Sequence, residues 1–306
     1  MNIEVTRINS SINDDPLGFV QAANEEYHYQ LRRIADKIIN TRNEKPVILL
    51  SGPSGSGKTT TAFMIEKILD EAGYETHTIS MDNYFRPLSR EEKELAALGK
   101  MDLESPERID SELLNSQIES IGRGERIEIP KYDFAESTRC HSGLFLERKP
   151  GELIIFEGIH ALNPSVITVP DCWLVKLYVS VRTRVTCGDT VLHPSKVRLA
   201  RRMIRDSNFR KRSLRETMNM FKNVEAGENK YIMPYKHRAD FDIDTFMAYE
   251  LNAYRSSLID KLGDLNDFPE LDDLTEVLEN LAPLNADNIP NNSLICEFLG
   301  RGRFEY

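Results

Sequence analysis

Short apolar runs alternate along the chain with longer stretches in which apolar residues recur every three or four positions. The runs are bounded by polar or turn-forming residues and predict buried parallel strands, and the longer stretches predict amphipathic helices packed on them. Strands are predicted at 47–50, 75–80, 153–156 and 173–180. This order of strands and helices predicts an α/β fold with a mainly parallel sheet flanked by helices.

Helical spacing of apolar residues marks five regions, and a different pattern marks a sixth. Helices are predicted at 17–42, 59–71, 194–231 with a break near 208–212, 246–262 and within 264–287. The last range carries eight acidic residues and no basic ones, so we expect a solvated helix on the edge of the domain. Residues 125–147 hold two apolar runs around a polar middle, which predicts an inserted antiparallel β-hairpin that could cover a substrate.

The chain shows no internal repeat, low-complexity segment or clear linker. We therefore expect an N-terminal helical extension over 1–45, one α/β domain over 46–262, and an acidic helical C-terminal extension over 263–306. The hairpin and the terminal helices offer surfaces for a homo-oligomer, but nothing in the pattern indicates a symmetry.

Composition and charge narrow the class of protein. The 306 residues are 40% apolar and 29% charged, as in an ordinary globular protein. The formal net charge of -10 argues against a broad surface for nucleic acid or an anionic membrane. The four cysteines form no CxxC pair, so neither a zinc cluster nor a disulfide framework is expected. We find no targeting segment or membrane-spanning run and expect a cytoplasmic protein.

A phosphate loop is the strongest local signal. Residues 52–59 read GPSGSGKT, which matches GxxxxGK[ST] between a predicted strand and a predicted helix. Such a loop turns backbone N–H groups toward a phosphate, and the helix N-terminus adds its positive dipole end. The predicted ATP-binding residues here are Gly52, Pro53, Ser54, Gly55, Ser56, Gly57, Lys58, Thr59 and Thr60. Lys58 is expected to reach the β and γ oxygens, and the Thr59 hydroxyl to hold Mg²⁺.

Two carboxylates follow predicted strands. Glu157 ends the run at 153–156, at the carboxyl edge of the sheet, where it could hold Mg²⁺ directly or through water. Asp82 follows the strand at 75–80 and could accept the proton of an attacking hydroxyl. There is no NKxD guanine motif, which disfavours a GTPase.

A basic segment, residues 196–215, stands out against the acidic chain. It carries nine basic residues and one acid. Arg198, Arg202 and Arg205 share one helical face, with Arg201 at its edge, and guanidinium groups suit phosphate oxygens. A phosphate-closing lid is the favoured interpretation, and the alternatives are a solvated face or one paired with the acidic C-terminal helix.

Together these segments resemble the uridine–cytidine kinase and phosphoribulokinase family of P-loop kinases. Besides the phosphate loop, the matching segments are SMDNYF at 80–85, KYDF at 131–134, FEGIH at 156–160 and the arginine-rich stretch 198–206. The chain is most similar to a bacterial uridine kinase-like subgroup that is often fused to a threonyl-tRNA synthetase-like N-terminal domain. That domain is not present in this sequence, so a role borrowed from it is not expected.

The resemblance implies transfer of the γ-phosphoryl group of ATP, with Mg²⁺, to a hydroxyl of a nucleoside or similar small molecule. In this pattern Asp82 and Lys58 are catalytic, and Thr59 and Glu157 bind the metal. Arg201 and Arg205 are assigned to the ATP site, within an arginine-rich helical lid. Which lid arginine contacts ATP and which contacts the acceptor substrate stays open. The substrate-binding residues implied are Asp82, Tyr84, Glu104, Tyr132, Arg139, Arg198 and Arg202.

Departures from the family pattern affect the acceptor side. Glu104 and Ser105 stand where an Asp–His pair is usual, Ser137 replaces a base-contacting His, and Asn219 and Met220 replace Gln–Tyr. Three hypotheses remain open: a nucleoside kinase, a kinase for another alcohol such as a sugar phosphate or pantothenate, and a nucleotide-sensing regulatory protein with a decayed acceptor pocket.

Overall fold

The fold is taken from a computed structural model that describes residues 1–304. Across these residues the strands are β1 Asn2–Glu4, β2 Val47–Ser51, β3 Thr76–Ser80, β4 Ile127–Asp133, β5 Thr138–Leu146, β6 Leu153–Glu157, β7 Leu174–Ser180, β8 Arg184–Cys187, β9 Thr190–Leu192 and β10 Phe241–Asp244. The helices are α1 Val5–Asp14, α2 Pro16–Thr41, α3 Lys58–Glu71, α4 Arg90–Ala97, α5 Ser111–Arg123, α6 Pro194–Phe209, α7 Leu214–Tyr231, α8 Glu250–Leu262, α9 Asp272–Asn280 and α10 Cys296–Leu299.

A parallel sheet in the order β10-β7-β2-β6-β3 lies at the centre of the structure. All five residues of β2 and all five of β6 are buried, because helices cover both faces of the sheet. In register, Glu157 at the end of β6 lies between Leu50 of β2 and Ser80 of β3. The carboxyl ends of these three strands therefore meet at one edge, which confirms the predicted α/β fold.

The inserted hairpin is also confirmed, as the antiparallel pair β4 and β5. Four short strands were not predicted. One is β10, at the edge of the central sheet, and the other three form a separate small sheet in which β1 pairs with β8 and β8 pairs with β9. A Gly–Asp pair, Gly188 and Asp189, joins β8 to β9, and two alternating runs around such a pair are a recognisable hairpin signal. The strand β1 has only three residues and gives no periodic pattern.

The helix after β10 starts later than its pattern predicts. Its first residue is Glu250 and not Phe246, because the Glu250 carboxylate accepts the Met247 N–H at 3.0 Å and turns the preceding residues back toward the phosphate loop. The predicted break in the basic region is confirmed, since α6 ends at Phe209 and α7 begins at Leu214.

The acidic C-terminal helix is not simply a solvated edge. Leu274, Val277 and Leu278 on α9 have no exposed surface and belong to the main hydrophobic core. That core also includes Val5 near the N-terminus and Phe298 near the C-terminus. Residues from both terminal extensions therefore share one core with the central sheet. No helix within residues 1–304 is long and apolar enough to cross a membrane.

Candidate active site

The phosphate loop, residues 52–59, connects β2 to α3. Gly57 sits at φ 85°, a left-handed conformation that favours glycine, and a Cβ there would lie 3.0 Å from Leu294 Cδ1. Thr245 Oγ1 donates to the Ser56 carbonyl at 2.7 Å and ties the loop to the end of β10. Ser56 Oγ is buried and has no hydrogen-bond partner among the described residues, which suits a loop that receives an oxyanion.

Glu157 occupies the centre of the carboxyl edge. Its side chain is 7% exposed, and burial raises its pKa to about 7, against the opposing effect of the nearby Lys58 charge. Neighbouring Asp82 acts in the same direction as burial, and a hydrogen bond with Ser80 opposes it. A nearby positive charge therefore favours the ionised form of Glu157, which burial disfavours.

Asp82 lies just beyond β3, in a 3-10 turn spanning Met81–Tyr84. Its backbone N–H donates to Ser80 Oγ at 3.4 Å, which starts this turn at the strand end. Burial raises the pKa of Asp82, and the charges of Lys58 and Arg210 oppose that rise. The structure therefore brings Lys58, Asp82 and Glu157 into one electrostatic cluster beside the loop.

Two arginines of the basic segment contact the loop directly. Arg198 Nη1 donates to the Ser54 carbonyl at 3.1 Å, and Arg202 Nη1 donates to Ser54 Oγ at 3.0 Å. Arg198 also forms a buried ion pair with Glu228 of α7 at 2.8 Å. In this structure α6 thus packs against the phosphate loop, and both arginines contact Ser54 of that loop.

Arg201 requires a correction, because it does not face the nucleotide side of the loop. Its side chain has no exposed surface. The guanidinium forms two hydrogen bonds with the Glu250 carboxylate, at 2.6 and 2.9 Å, and donates to the Gly55 and Thr245 carbonyls at 3.1 and 2.6 Å. Its donors are used within the protein, so Arg201 supports the loop from the protein interior and has no donor left for a ligand.

The outer part of the basic segment pairs with the acidic C-terminal region. Lys196 Nζ lies 3.6 Å from Asp273 Oδ1, and Arg215 Nη1 lies 2.5 Å from Asp267 Oδ2. The two interpretations of the segment therefore apply to different residues. Its ends pair with acidic residues, and its middle supplies arginines to the loop.

A cleft of about 920 Å³ opens beside the 3-10 turn at Pro106–Arg108, in the region where acceptor-binding residues were expected. Its lining includes Arg86, Asp102, Ser105, Arg108 and Tyr231. Tyr231 OH donates to Asp102 Oδ2 at 2.8 Å, which links α7 to the loop before the 3-10 turn at Pro106–Arg108.

Glu104 is close enough to Asp102 of this cleft and to Asp82 for the charge of each to act on its carboxyl group. Burial raises its pKa, and the charges of Arg202 and Lys58 oppose the rise. A Cβ added to Gly227 of α7 would lie 2.5 Å from Glu104 Cβ, so the absence of a side chain at position 227 allows this close packing.

Three other expected substrate residues do not line this cleft. Tyr84 requires a correction: it has no exposed surface, and its hydroxyl donates to Gln117 Oε1 at 2.7 Å, so it is a core residue. Tyr132 is 6% exposed, and its hydroxyl accepts from Arg108 Nη2 at 3.2 Å. Arg139 Nη1 forms an ion pair with Asp110 Oδ2 at 2.8 Å.

Two side chains in the site were not assigned a role from the sequence. His160 is 1% exposed, burial lowers its pKa to about 4, and its ring packs beside Tyr231 with centroids 6.3 Å apart. Its position three residues after the strand-end acid Glu157, in the FEGIH segment, was the available signal. Arg210 is near enough to Asp82 to oppose the rise in its pKa, and membership of the basic segment was its only signal.

The oxygen donors present fit a Mg²⁺ ion that is shared with a substrate. Within residues 1–304 no three His, Cys, Asp or Glu side chains are grouped to hold a metal by themselves. Mg²⁺ in phosphoryl-transfer sites is bound through one or two protein oxygens together with substrate phosphates. The Thr59 hydroxyl on the first turn of α3 and the Glu157 carboxylate at the end of β6 suit that kind of site.

The fold and the site together define a class of protein. A phosphate loop between a parallel strand and a helix, with carboxylates at the ends of two neighbouring strands, is the arrangement of P-loop kinases. Residues 47–251 match the Phosphoribulokinase / Uridine kinase family, and the chain belongs to this family.

Similar proteins agree with that assignment. Uridine-cytidine kinase 2-B of Danio rerio is 30% identical over 200 residues, covering 63% of this chain and 70% of its own. A uridine kinase of Staphylococcus haemolyticus is 32% identical over 198 residues, covering 64% of this chain and 86% of its own.

Solved structures share the fold at low sequence identity. A candidate fructose transport system kinase from Silicibacter sp. TM1040 is 17% identical with a TM-score of 0.54, covering 69% of this chain and 98% of its own. A candidate P-loop kinase, YFH7 from Saccharomyces cerevisiae, is 12% identical with a TM-score of 0.50, covering 70% of this chain and 98% of its own.

Proposed function

We propose that the protein is a kinase that transfers the γ-phosphoryl group of ATP to a hydroxyl of a nucleoside. The observation that carries this proposal is the cluster of Lys58, Asp82 and Glu157 beside the phosphate loop. Relatives named uridine kinase and uridine-cytidine kinase support a nucleoside as the acceptor.

In this mechanism the protein positions two reactants and stabilises charge. The phosphate loop and Lys58 bind the triphosphate, and Arg202 contributes positive charge from the side of Ser54. Mg²⁺, held by Thr59 and Glu157, would neutralise charge on the β and γ phosphates. Asp82 accepts the proton of the attacking hydroxyl, a role for which its raised pKa makes it a stronger base than an exposed aspartate.

The test of the chemical step is Asp82→Asn. It should lower turnover about 10²–10⁴-fold, as loss of a general base does, while the affinity for ATP stays near that of the wild type. Asp36→Asn, an exposed position on α2, is the matched control and should leave turnover unchanged. Unchanged turnover in Asp82→Asn would remove Asp82 from the mechanism.

A second candidate acceptor has its own support. The cleft is lined by Arg86 and Arg108 as well as by acids, and Glu104 and Ser105 differ from the residues usual in pyrimidine nucleoside kinases. These changes favour an alcohol with a negatively charged group, such as a sugar phosphate or pantothenate.

An acceptor panel separates the candidates. Uridine, cytidine, pantothenate and sugar phosphates are compared at fixed ATP by coupled ADP detection. Turnover of uridine or cytidine supports the nucleoside kinase, and turnover of an anionic alcohol alone supports the second candidate. ATP binding without ADP release for any acceptor supports a nucleotide-sensing protein.

A further inference from the structure

The C-terminal segment, residues 291–300, packs against the phosphate loop. Leu294 and Phe298 have no exposed surface, and Leu294 covers Gly57 at the start of α3. The Phe298 ring lies 5.2 Å from the Arg201 guanidinium, behind the loop. This segment lies outside residues 47–251, which match the family, so the contact is an addition to the family domain.

Within this segment, Glu297 directs its carboxylate toward Thr60 on the first turn of α3. Oε2 accepts a hydrogen bond from Thr60 Oγ1 at 2.6 Å, and Oε1 lies 3.8 Å from Arg205 Nη1. The side chain is only 8% exposed. Since Thr60 directly follows Thr59, this bond holds the helical turn that carries the expected metal ligand.

The two arginines nearest this segment differ in how their donors are used. Arg201 is fully buried, and hydrogen bonds to Glu250, Gly55 and Thr245 occupy its guanidinium. Arg205 is 20% exposed, and its Nε has no hydrogen-bond partner among the described residues. Glu297 pairs with Arg205 at 3.8 Å, beyond hydrogen-bond distance, so the partly exposed Arg205 side chain retains donors for another oxyanion.

The charge of Glu297 also reaches the metal side of the site. It acts to raise the pKa of Glu157, which places the two carboxylates within electrostatic range of each other. A carboxylate with purely structural contacts could lie anywhere along the C-terminal segment. The Glu297 carboxylate instead accepts a hydrogen bond from Thr60 on the first turn of α3 and pairs with Arg205 of α6.

We propose that Glu297 is a positioning residue of the donor site, which holds Arg205 and the first turn of α3 in the arrangement that binds the triphosphate. The C-terminal segment thereby completes a nucleotide site whose other parts come from the family domain. The inference rests on the proposed function only in taking ATP as the ligand of the phosphate loop.

The test compares Glu297→Gln with the wild-type full chain. Affinity for a non-hydrolysable ATP analogue, adenylyl imidodiphosphate with Mg²⁺, is measured by calorimetry, and affinity for the acceptor found by the panel is measured separately. We expect the analogue Kd to rise about tenfold, the effect of weakening one charge-assisted contact, with the acceptor Kd within about twofold. An analogue Kd within twofold of the wild type would overturn the proposal.

A matched control and a double variant separate positioning from general stability. In the control, Glu276→Gln on α9 changes a carboxylate that accepts from Thr190 Oγ1 at the same 2.6 Å, and it should leave both Kd values unchanged. Arg205→Lys should also raise the analogue Kd. The double variant, with Glu297→Gln and Arg205→Lys together, should bind the analogue no more weakly than the single variant with the higher Kd. Additive losses would overturn the proposed coupling.

Two other outcomes also decide between the proposals. If Glu297→Gln does not fold, Thr60→Val removes the same hydrogen bond from α3, and an analogue Kd within twofold of the wild type then overturns the proposal. If Glu297→Gln loses analogue affinity but no acceptor supports ADP release, the inference stands and the proposed acceptor chemistry is refuted. In that case only the analogue Kd of Glu297→Gln and that of the wild type are compared, because there is no acceptor Kd to measure.

Discussion

Replacing Glu157 with glutamine should stabilise the protein in a manner that depends on pH. Burial raises the pKa of this carboxyl from its ordinary 4.5 to about 7. At about 1.4 kcal/mol for each tenfold change in proton affinity, ionising Glu157 in the folded protein costs about 3 kcal/mol relative to the unfolded chain. Glutamine keeps the shape and carries no charge, so the variant avoids this cost.

The direction follows from proton binding. Between pH 4.5 and about 7 the folded protein holds the Glu157 proton more tightly than the unfolded chain does. The stability of the wild type therefore falls as the pH rises through this range, and the full penalty is present above about pH 7. The advantage of Glu157→Gln should be small near pH 5 and complete at pH 8.

The assay is thermal unfolding at several pH values, in EDTA and without nucleotide. The difference in Tm between Glu157→Gln and the wild type should grow by on the order of 5 °C from pH 5 to pH 8. Glu152→Gln, just before the other end of the same strand, is the matched control. Burial alone would raise the pKa of Glu152, but the Lys149 backbone N–H and charge lower it overall.

Glu152→Gln should therefore lose stability relative to the wild type as the pH rises, the opposite sign to Glu157→Gln. A Tm difference for Glu157→Gln that does not change with pH would refute the inference that this carboxylate is held against a desolvation penalty. The variant should also lose Mg²⁺-dependent turnover, because a neutral amide holds the proposed Mg²⁺ more weakly than a carboxylate does.

Two further variants address the acceptor side and the support of the loop. Gly227→Ala places a methyl group 2.5 Å from Glu104 Cβ and should raise the acceptor KM several-fold while ATP affinity stays constant, whereas Gly263→Ala, with open space around it, should be neutral in the same kinetic assay. Arg201→Met leaves the Glu250 carboxylate buried without its partner and should lower the free energy of unfolding by about 3–5 kcal/mol in urea denaturation. Arg90→Met, at an exposed arginine whose partner Glu94 is also exposed, should cost far less, and equal losses in the two arginine variants would contradict the buried role of Arg201.

The central part of the fold and the positions of the site carboxylates were predictable from local patterns. Apolar runs identify β2, β6 and β7, the strand β3 was also predicted, and the glycine-rich loop with Lys58 has its own signature in sequence. Because parallel strands end at one edge of a sheet, Glu157 and Asp82 could be placed near the loop before their contacts were known. These inferences need only the order of elements and the direction of the strands.

The roles of the arginines depended on tertiary contacts. The periodicity of α6 places Arg198, Arg201 and Arg202 near one another, but it does not distinguish an arginine that faces a ligand from one that faces a buried acid. Arg201 is decided by Glu250, which lies 49 positions away in sequence. Tyr84 belongs to the core for the same kind of reason, since its hydroxyl donates a hydrogen bond to Gln117 of α5, 33 positions away in sequence.

The sequence by itself determined the class of fold, the phosphate loop and the two strand-end carboxylates, since these follow from short-range patterns and strand direction. Only the tertiary structure decided how the C-terminal region packs on the rest of the protein. The acidic composition of the C-terminal region predicted a solvated helix, yet its apolar residues join the core and Glu297 reaches Thr60 across 237 positions. Such a contact depends on how distant elements pack together, and no local spacing of residues records it.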